Sequence, residues 1–236
     1  MLEALRADVF AANLRLPALG LVKLTWGNVS GRDPVSGLVV IKPSGVPYES
    51  MTDADLVVVD LDGEVREGSL RPSSDTPSHL ALYRAFPELG GVVHTHSTYA
   101  TAFAQARHAI PLLGTTHADL APIDIPLTRD LTPEEIRDSY EASTGDILIE
   151  CIRSFDLTRV PAALVPGHGV FSWGADAADA VERALTVEEV AKLALFTRLV
   201  DPAAPLLDAV VRDKHYTRKH GPASYYGQES SGHSTH

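Results

Sequence analysis

Apolar residues recur at Leu2, Leu5, Val9, Ala12 and Leu16, the spacing of one helical face, and the pattern stops near Pro17 and Gly20. An amphipathic helix over residues 2–16 is the expectation. Two short β-branched runs follow at 38–41 and 56–61, and Asp62-Gly63 closes the second with a hairpin-turn dipeptide. Residues 73–77 read Ser-Ser-Asp-Thr-Pro, capping groups ahead of a proline, which predicts a helix start. Leu80, Leu82, Tyr83 and Phe86 supply its buried stripe. A strand over 91–96 comes next, then a helix beginning at Ser97. Helices are expected over 133–140 and 147–155, a strand over 162–165, and a long helix from Asp176 to about Leu199.

These elements occupy 236 residues without a linker-like stretch, so one α/β domain with one hydrophobic core is predicted. Hydrophobic residues make 44% and charged residues 22% of the chain, the ordinary balance of a soluble globular protein. The polar stretch 229–236 is expected to be disordered. A formal charge of −11 argues against a nucleic-acid surface, which needs clustered cations. A small phosphorylated substrate stays open, because it needs only a local nest of amides and one or two cations. No stretch reaches the roughly 20 apolar residues of a membrane span, and the first residues lack a signal-peptide core. A single cysteine, Cys151, allows no internal disulfide, in keeping with a cytoplasmic location.

Within Val93-His94-Thr95-His96, strand alternation would point both imidazoles the same way with Cα atoms about 7 Å apart, a spacing two ligands of one metal can use. His168, in the glycine-flanked turn Pro166-Gly167-His168-Gly169, is the third candidate. Three neutral imidazoles hold a divalent ion and leave positions open for substrate oxygens, as a catalytic zinc requires. Asp75 either joins them or simply caps its helix. A second group, Gly27, Asn28, Lys42, Ser44, Gly45, Ser73 and Ser74, has the glycines and hydroxyls of an anion cradle, although each alone also suits a turn or cap. A third unites Asp119 with His215 and Tyr226: a carboxylate and a phenol on opposite sides of a substrate carbon could exchange a proton with a hydroxyl on either face. The alternative is a buried aromatic pair, Tyr225 and Tyr226, with a wet hydroxyl. Cys151 reads as a small helix hydrophobe rather than a nucleophile, and the basic run 212–220 as a solvated face or subunit contact.

The strings LTWGNVS (24–30), IKPSGV (41–46), PSSDTP (72–77), VHTHS (93–97), GTTHAD (114–119), DKHY (213–216) and YYGQ (225–228) together resemble the class II aldolase and epimerase family. The resemblance covers residues 1–228 in order. It implies a single-domain three-layer α/β/α sandwich with a central, mainly antiparallel sheet. By the same match, Asp75, His94, His96 and His168 hold Zn2+, with Co2+ or Mn2+ able to share such ligands. Gly27, Asn28, Ser44, Gly45, Ser73 and Ser74 contact the substrate, Asp119 and Tyr226 are the acid/base pair, and His215 supports them. The implied reaction is epimerisation of L-ribulose 5-phosphate to D-xylulose 5-phosphate at C4 by retro-aldol cleavage and re-addition. The implied assembly is a homotetramer with sites at subunit interfaces. A sugar-phosphate aldolase of the same family is the nearest alternative, and a non-catalytic scaffold like the adducin head domain a more distant one.

Overall fold

The computed structural model describes residues 2–157, 159–221 and 224–227. The stretch 229–236, expected to be disordered, lies outside the described residues. The N-terminal periodicity becomes α1 (Glu3–Ala18), with Pro17 inside its last turn rather than beyond it. So close to the C-terminus a proline removes little more than one backbone bond, and the helix ends a residue later.

Seven strands form one sheet in the order β4-β3-β2-β1-β5-β7-β6, and every neighbouring pair is antiparallel. They are β1 (Asn28–Arg32), β2 (Val39–Ile41), β3 (Val57–Val59), β4 (Val65–Glu67), β5 (Gly91–Thr95), β6 (Ala162–Val165) and β7 (Gly169–Gly174). The helices after α1 are α2 (Thr76–Ala85), α3 (Thr98–Ala106), α4 (Thr115–Leu120), α5 (Pro133–Ile152), α6 (Ala177–Val200) and α7 (Ala209–Lys219).

Strand alternation sorts the core into two layers. Val39, Val57, Val59 and Val92 face Leu80, Leu82 and Tyr83 of α2 and Ile147, Leu148 and Ile152 of α5. Their neighbours Val40, Val58 and Val93 face the other way, onto Val9, Ala12 and Leu16 of α1 and Ala180, Val181 and Ala184 of α6. Farther along, Leu164 and Val170 pack on α3 and on Val187 and Ala191 of α6. The result is the three-layer α/β/α sandwich, with both faces of its sheet buried.

Strands β1 and β7 escaped the apolar pattern. Asn-Val-Ser-Gly-Arg and Gly-Val-Phe-Ser-Trp-Gly mix polar and glycine residues, yet both are buried in the middle of the sheet. The two helices expected over 133–140 and 147–155 are one, α5, with a break at Ser139 (φ −163°, ψ 57°). Gly145 keeps it continuous against α2: a Cβ there would sit 2.6 Å from Ala81 Cβ and 3.1 Å from Ser78 Cα, so only glycine allows this approach. Cys151 is a half-buried residue of this helix, its thiol directed to the Leu127 carbonyl at 3.7 Å. Among the described residues no helix is long and apolar enough to cross a membrane.

Candidate metal centre and acid/base cluster

The histidines meet where β5 ends and β6 turns into β7. His94 and His96 project from one side of β5 as alternation requires, and His168 occupies the turn that the Val165 to Gly169 pairing closes. The ring nitrogens of the three lie within 4.8 Å of one another. Gly169 permits this convergence, since a Cβ there would fall 2.5 Å from Thr95 O and 2.9 Å from His96 Cδ2. The buried His94 ring stacks on Phe171, with centroids 4.2 Å apart. Its Nδ1 lies 3.1 Å from Val170 O, and because a carbonyl only accepts, Nδ1 carries the proton. Nε2 therefore presents a lone pair, 3.1 Å from His96 Nε2.

Burial pushes the His94 imidazole down to about 3, although Asp75 works in the opposite direction. Burial also lowers His96 and His168. All three are then neutral near pH 7, the form in which imidazole binds a cation. This donor set fits a divalent metal ion.

Asp75 stands at the N-cap position of α2, but its backbone is helical and its side chain makes no capping bond. Its carboxylate instead accepts Asn28 Nδ2–H at 2.6 Å and Ser73 Oγ–H at 3.3 Å. Burial opposes its ionisation, but the adjacent histidines, His94 foremost, and the Asn28 bond hold the carboxyl below the usual range. The capping alternative is thereby removed, and the charge faces the histidines.

Asp75, His94, His96 and His168 line one cleft of about 420 Å³ together with Gly27, Asn28, Lys42, Ser44, Gly45, Ser73 and Ser74. Sheet register explains Asn28, which pairs directly with His94. The loops 42–45 and 71–74 are joined by Ser44 N–H to Arg71 O at 2.9 Å and Ser73 N–H to Lys42 O at 3.0 Å. Lys42 is buried, donates to Val46 O at 2.8 Å, and lies 4.7 Å above the Tyr48 ring. Asn28 Oδ1 is buried with no hydrogen-bond partner among the described residues, an acceptor turned to the cleft wall. Trp26, Tyr140 and Glu141 also line the cleft and carried no sequence signal of it. Nor did Glu188 of α6, whose carboxylate accepts Tyr99 N–H and Ala100 N–H at 2.9 Å and fixes the start of α3 just past His96.

Asp119, His215 and Tyr226 gather elsewhere. Asp119 on α4 accepts from His215 Nδ1 at 3.0 Å and from Arg218 Nε at 3.0 Å, with Lys219 Nζ 3.6 Å away, so α7 is latched to α4 by charge. Burial resists ionisation of Asp119, but the Arg218 and His215 bonds win and hold its carboxyl low. The Tyr226 ring is 63% exposed, with Lys219 Nζ at 4.4 Å and the Arg218 guanidinium at 5.1 Å. Tyr225 is equally exposed, so the two are not a buried aromatic pair. None of the three residues lines the histidine cleft of its own chain.

Behind the cleft, His79 is fully buried, with Nδ1 2.7 Å from Ser30 Oγ, and burial pushes its imidazole down to about 4. An unfolded histidine near 6.5 takes its proton first as pH falls, so stability is present above that value and is lost between 6.5 and about 4. His94 acts with the same sign. In chelator, the urea midpoint should therefore drop between pH 7 and about pH 5, by about 2 kcal/mol for each such histidine. An unchanged midpoint would contradict this.

The fold and site together place the chain in a family: it belongs to the class II aldolase and adducin N-terminal domain family, matched over residues 7–195. Within curated proteins it is 55% identical over 228 residues, 97% of this chain and 100% of the relative, to the L-ribulose-5-phosphate 4-epimerase UlaF of Salmonella paratyphi C (strain RKS4594). Among solved structures, an L-fuculose 1-phosphate aldolase has the same fold with a TM-score of 0.76 at 23% identity, covering 91% of this chain and 95% of that one. The L-fuculose-1-phosphate aldolase from Thermus thermophilus follows at 0.66 and 27% identity, covering 86% and 98%.

Proposed function

We propose that this protein is a metal-dependent epimerase that converts L-ribulose 5-phosphate to D-xylulose 5-phosphate. The observation that carries the reading is one cleft in which three neutral imidazoles stand beside a serine- and glycine-built anion cradle, in a chain so similar to a curated 4-epimerase. The retained ligand set speaks against a non-catalytic scaffold.

The carbon to be inverted is not adjacent to the ketone, so its hydrogen is not acidic and deprotonation cannot epimerise it. Cleavage can. A base removes the C4 hydroxyl proton, the C3–C4 bond breaks, and its electron pair passes to the C2–C3 unit as the enediolate of dihydroxyacetone. Glycolaldehyde phosphate is left beside it. Rotation of that aldehyde presents its other face; the C3–C4 bond re-forms and an acid protonates the new C4 oxygen. Asp119 and Tyr226 are the acid/base pair for the two faces, with His215 and Arg218 orienting the carboxylate. Asn28, Lys42, Ser44, Gly45, Ser73 and Ser74 hold the phosphate, so the aldehyde turns without leaving. A divalent ion held by His94, His96 and His168, with Asp75, would supply Lewis-acid stabilisation of the charge that develops on the substrate oxygens. The nitrogen-rich donor set suits Zn2+, and Co2+ or Mn2+ could occupy it.

Because the acid/base cluster does not line its own chain's cleft, the site is completed by a neighbouring copy in a homotetramer. Exposed Leu193, Phe196, Leu199 and Val200 near the end of α6 give such an assembly an apolar face to bury. A cytoplasmic location agrees with the lone free cysteine. The aldolase alternative shares the cleft and the bond broken but releases its products. Product analysis separates them: D-xylulose 5-phosphate should accumulate from L-ribulose 5-phosphate without free dihydroxyacetone. Free dihydroxyacetone and glycolaldehyde phosphate as main products would replace epimerase by aldolase.

A further inference from the structure

Tyr140 has no part in the roles above, yet its phenol oxygen lies 3.3 Å from His168 Nδ1 at the edge of the cleft. His168 lies in a turn between Gly167 and Gly169, so its immediate neighbours offer no side chain to hold the ring. For His94 the same task falls to a backbone carbonyl, Val170 O. A ligating imidazole needs its second nitrogen engaged, because that bond fixes both tautomer and orientation.

The segment that presents Tyr140 is firmly placed. The break at Ser139 turns the chain just before it, and Thr144 Oγ1–H donates to Tyr140 O at 2.8 Å. The next carbonyl, Glu141 O, accepts Ser78 Oγ–H at 2.5 Å from α2, three residues after Asp75. With Gly145 closing the gap between the helices, α2 and α5 form one wall that carries Asp75 and Tyr140 together.

We infer that Tyr140 is a positioning residue of the metal centre: its phenol oxygen accepts the Nδ1–H of His168 and leaves Nε2 directed at His94 and His96. The opposite polarity, phenol donating, would leave the proton on Nε2 and withdraw His168 from the ligand set. This rests on the metal reading proposed above, so the test measures metal binding separately from turnover.

Tyr140→Phe keeps the ring and removes only the oxygen. With Co2+ as the probe and a chromophoric chelator as competitor, the variant should bind cobalt about 10-fold more weakly than the unaltered protein. The visible absorption of the cobalt-loaded variant should change, while the metal-free melting temperature stays where it was. A dissociation constant within twofold of the unaltered protein's and an identical cobalt spectrum would overturn the inference and leave the metal centre standing. Weaker binding accompanied by a matching loss of metal-free stability would also overturn it, by assigning Tyr140 to the fold. If the unaltered protein binds no cobalt, the metal reading fails, and this inference with it.

Discussion

His96→Ala is expected to lose its metal and its turnover together while remaining folded. His96 is the exposed member of the three, so truncating it opens no cavity in the core, unlike His94, which is buried and stacked on Phe171. Two imidazoles and a carboxylate bind a divalent ion far more weakly than the full set. The enediolate then loses its Lewis-acid stabilisation, and turnover should fall at least about 1,000-fold, or about 4 kcal/mol. Elemental analysis, circular dichroism and a rate assay on one preparation check all three expectations. A metal-free variant with full activity would sink the mechanism.

Asp119→Asn should be the next most damaging change, slowing turnover by about 10² to 10⁴. The amide keeps the size of the carboxylate but cannot act as base, and it gives up the charge that Arg218 and His215 hold in place. Metal content should be unaltered, because Asp119 is not among the cleft residues of its own chain. That separation carries a second expectation. Tetramers reassembled from equal amounts of Asp119→Asn and His96→Ala chains should recover about one quarter of the sites, those pairing an intact metal half with an intact neighbouring acid/base half. Mixtures no more active than their parents would place both halves in one chain.

Much of the metal half was legible from residue order alone. The alternation of β5 sets His94 and His96 on one side, and a glycine-flanked turn after a second strand brings back His168; both are local rules. Asp75 was ambiguous because aspartate before a helix has two uses, and only the absence of a capping bond and the presence of Asn28 on the carboxylate separate them. Central strands β1 and β7 were hidden, since a strand buried on both faces need not alternate and both contain glycine and serine. Tyr140 and Glu141 reach the cleft through a helix break and the packing of α5 on α2, long-range facts that no short motif encodes. The residue types of the acid/base cluster were readable as well. Its distance from the cleft was not, because that follows from how α7 packs on α4.

The central claim is metal-dependent epimerisation, and one rate series tests it most directly. Purified protein is given L-ribulose 5-phosphate, and the appearance of D-xylulose 5-phosphate is followed before chelation, after metal removal, and after stoichiometric Zn2+ is returned. The account predicts conversion, its loss, and its recovery in that order. Conversion at an undiminished rate by protein shown to be free of metal, or none by protein shown to be loaded, would contradict it.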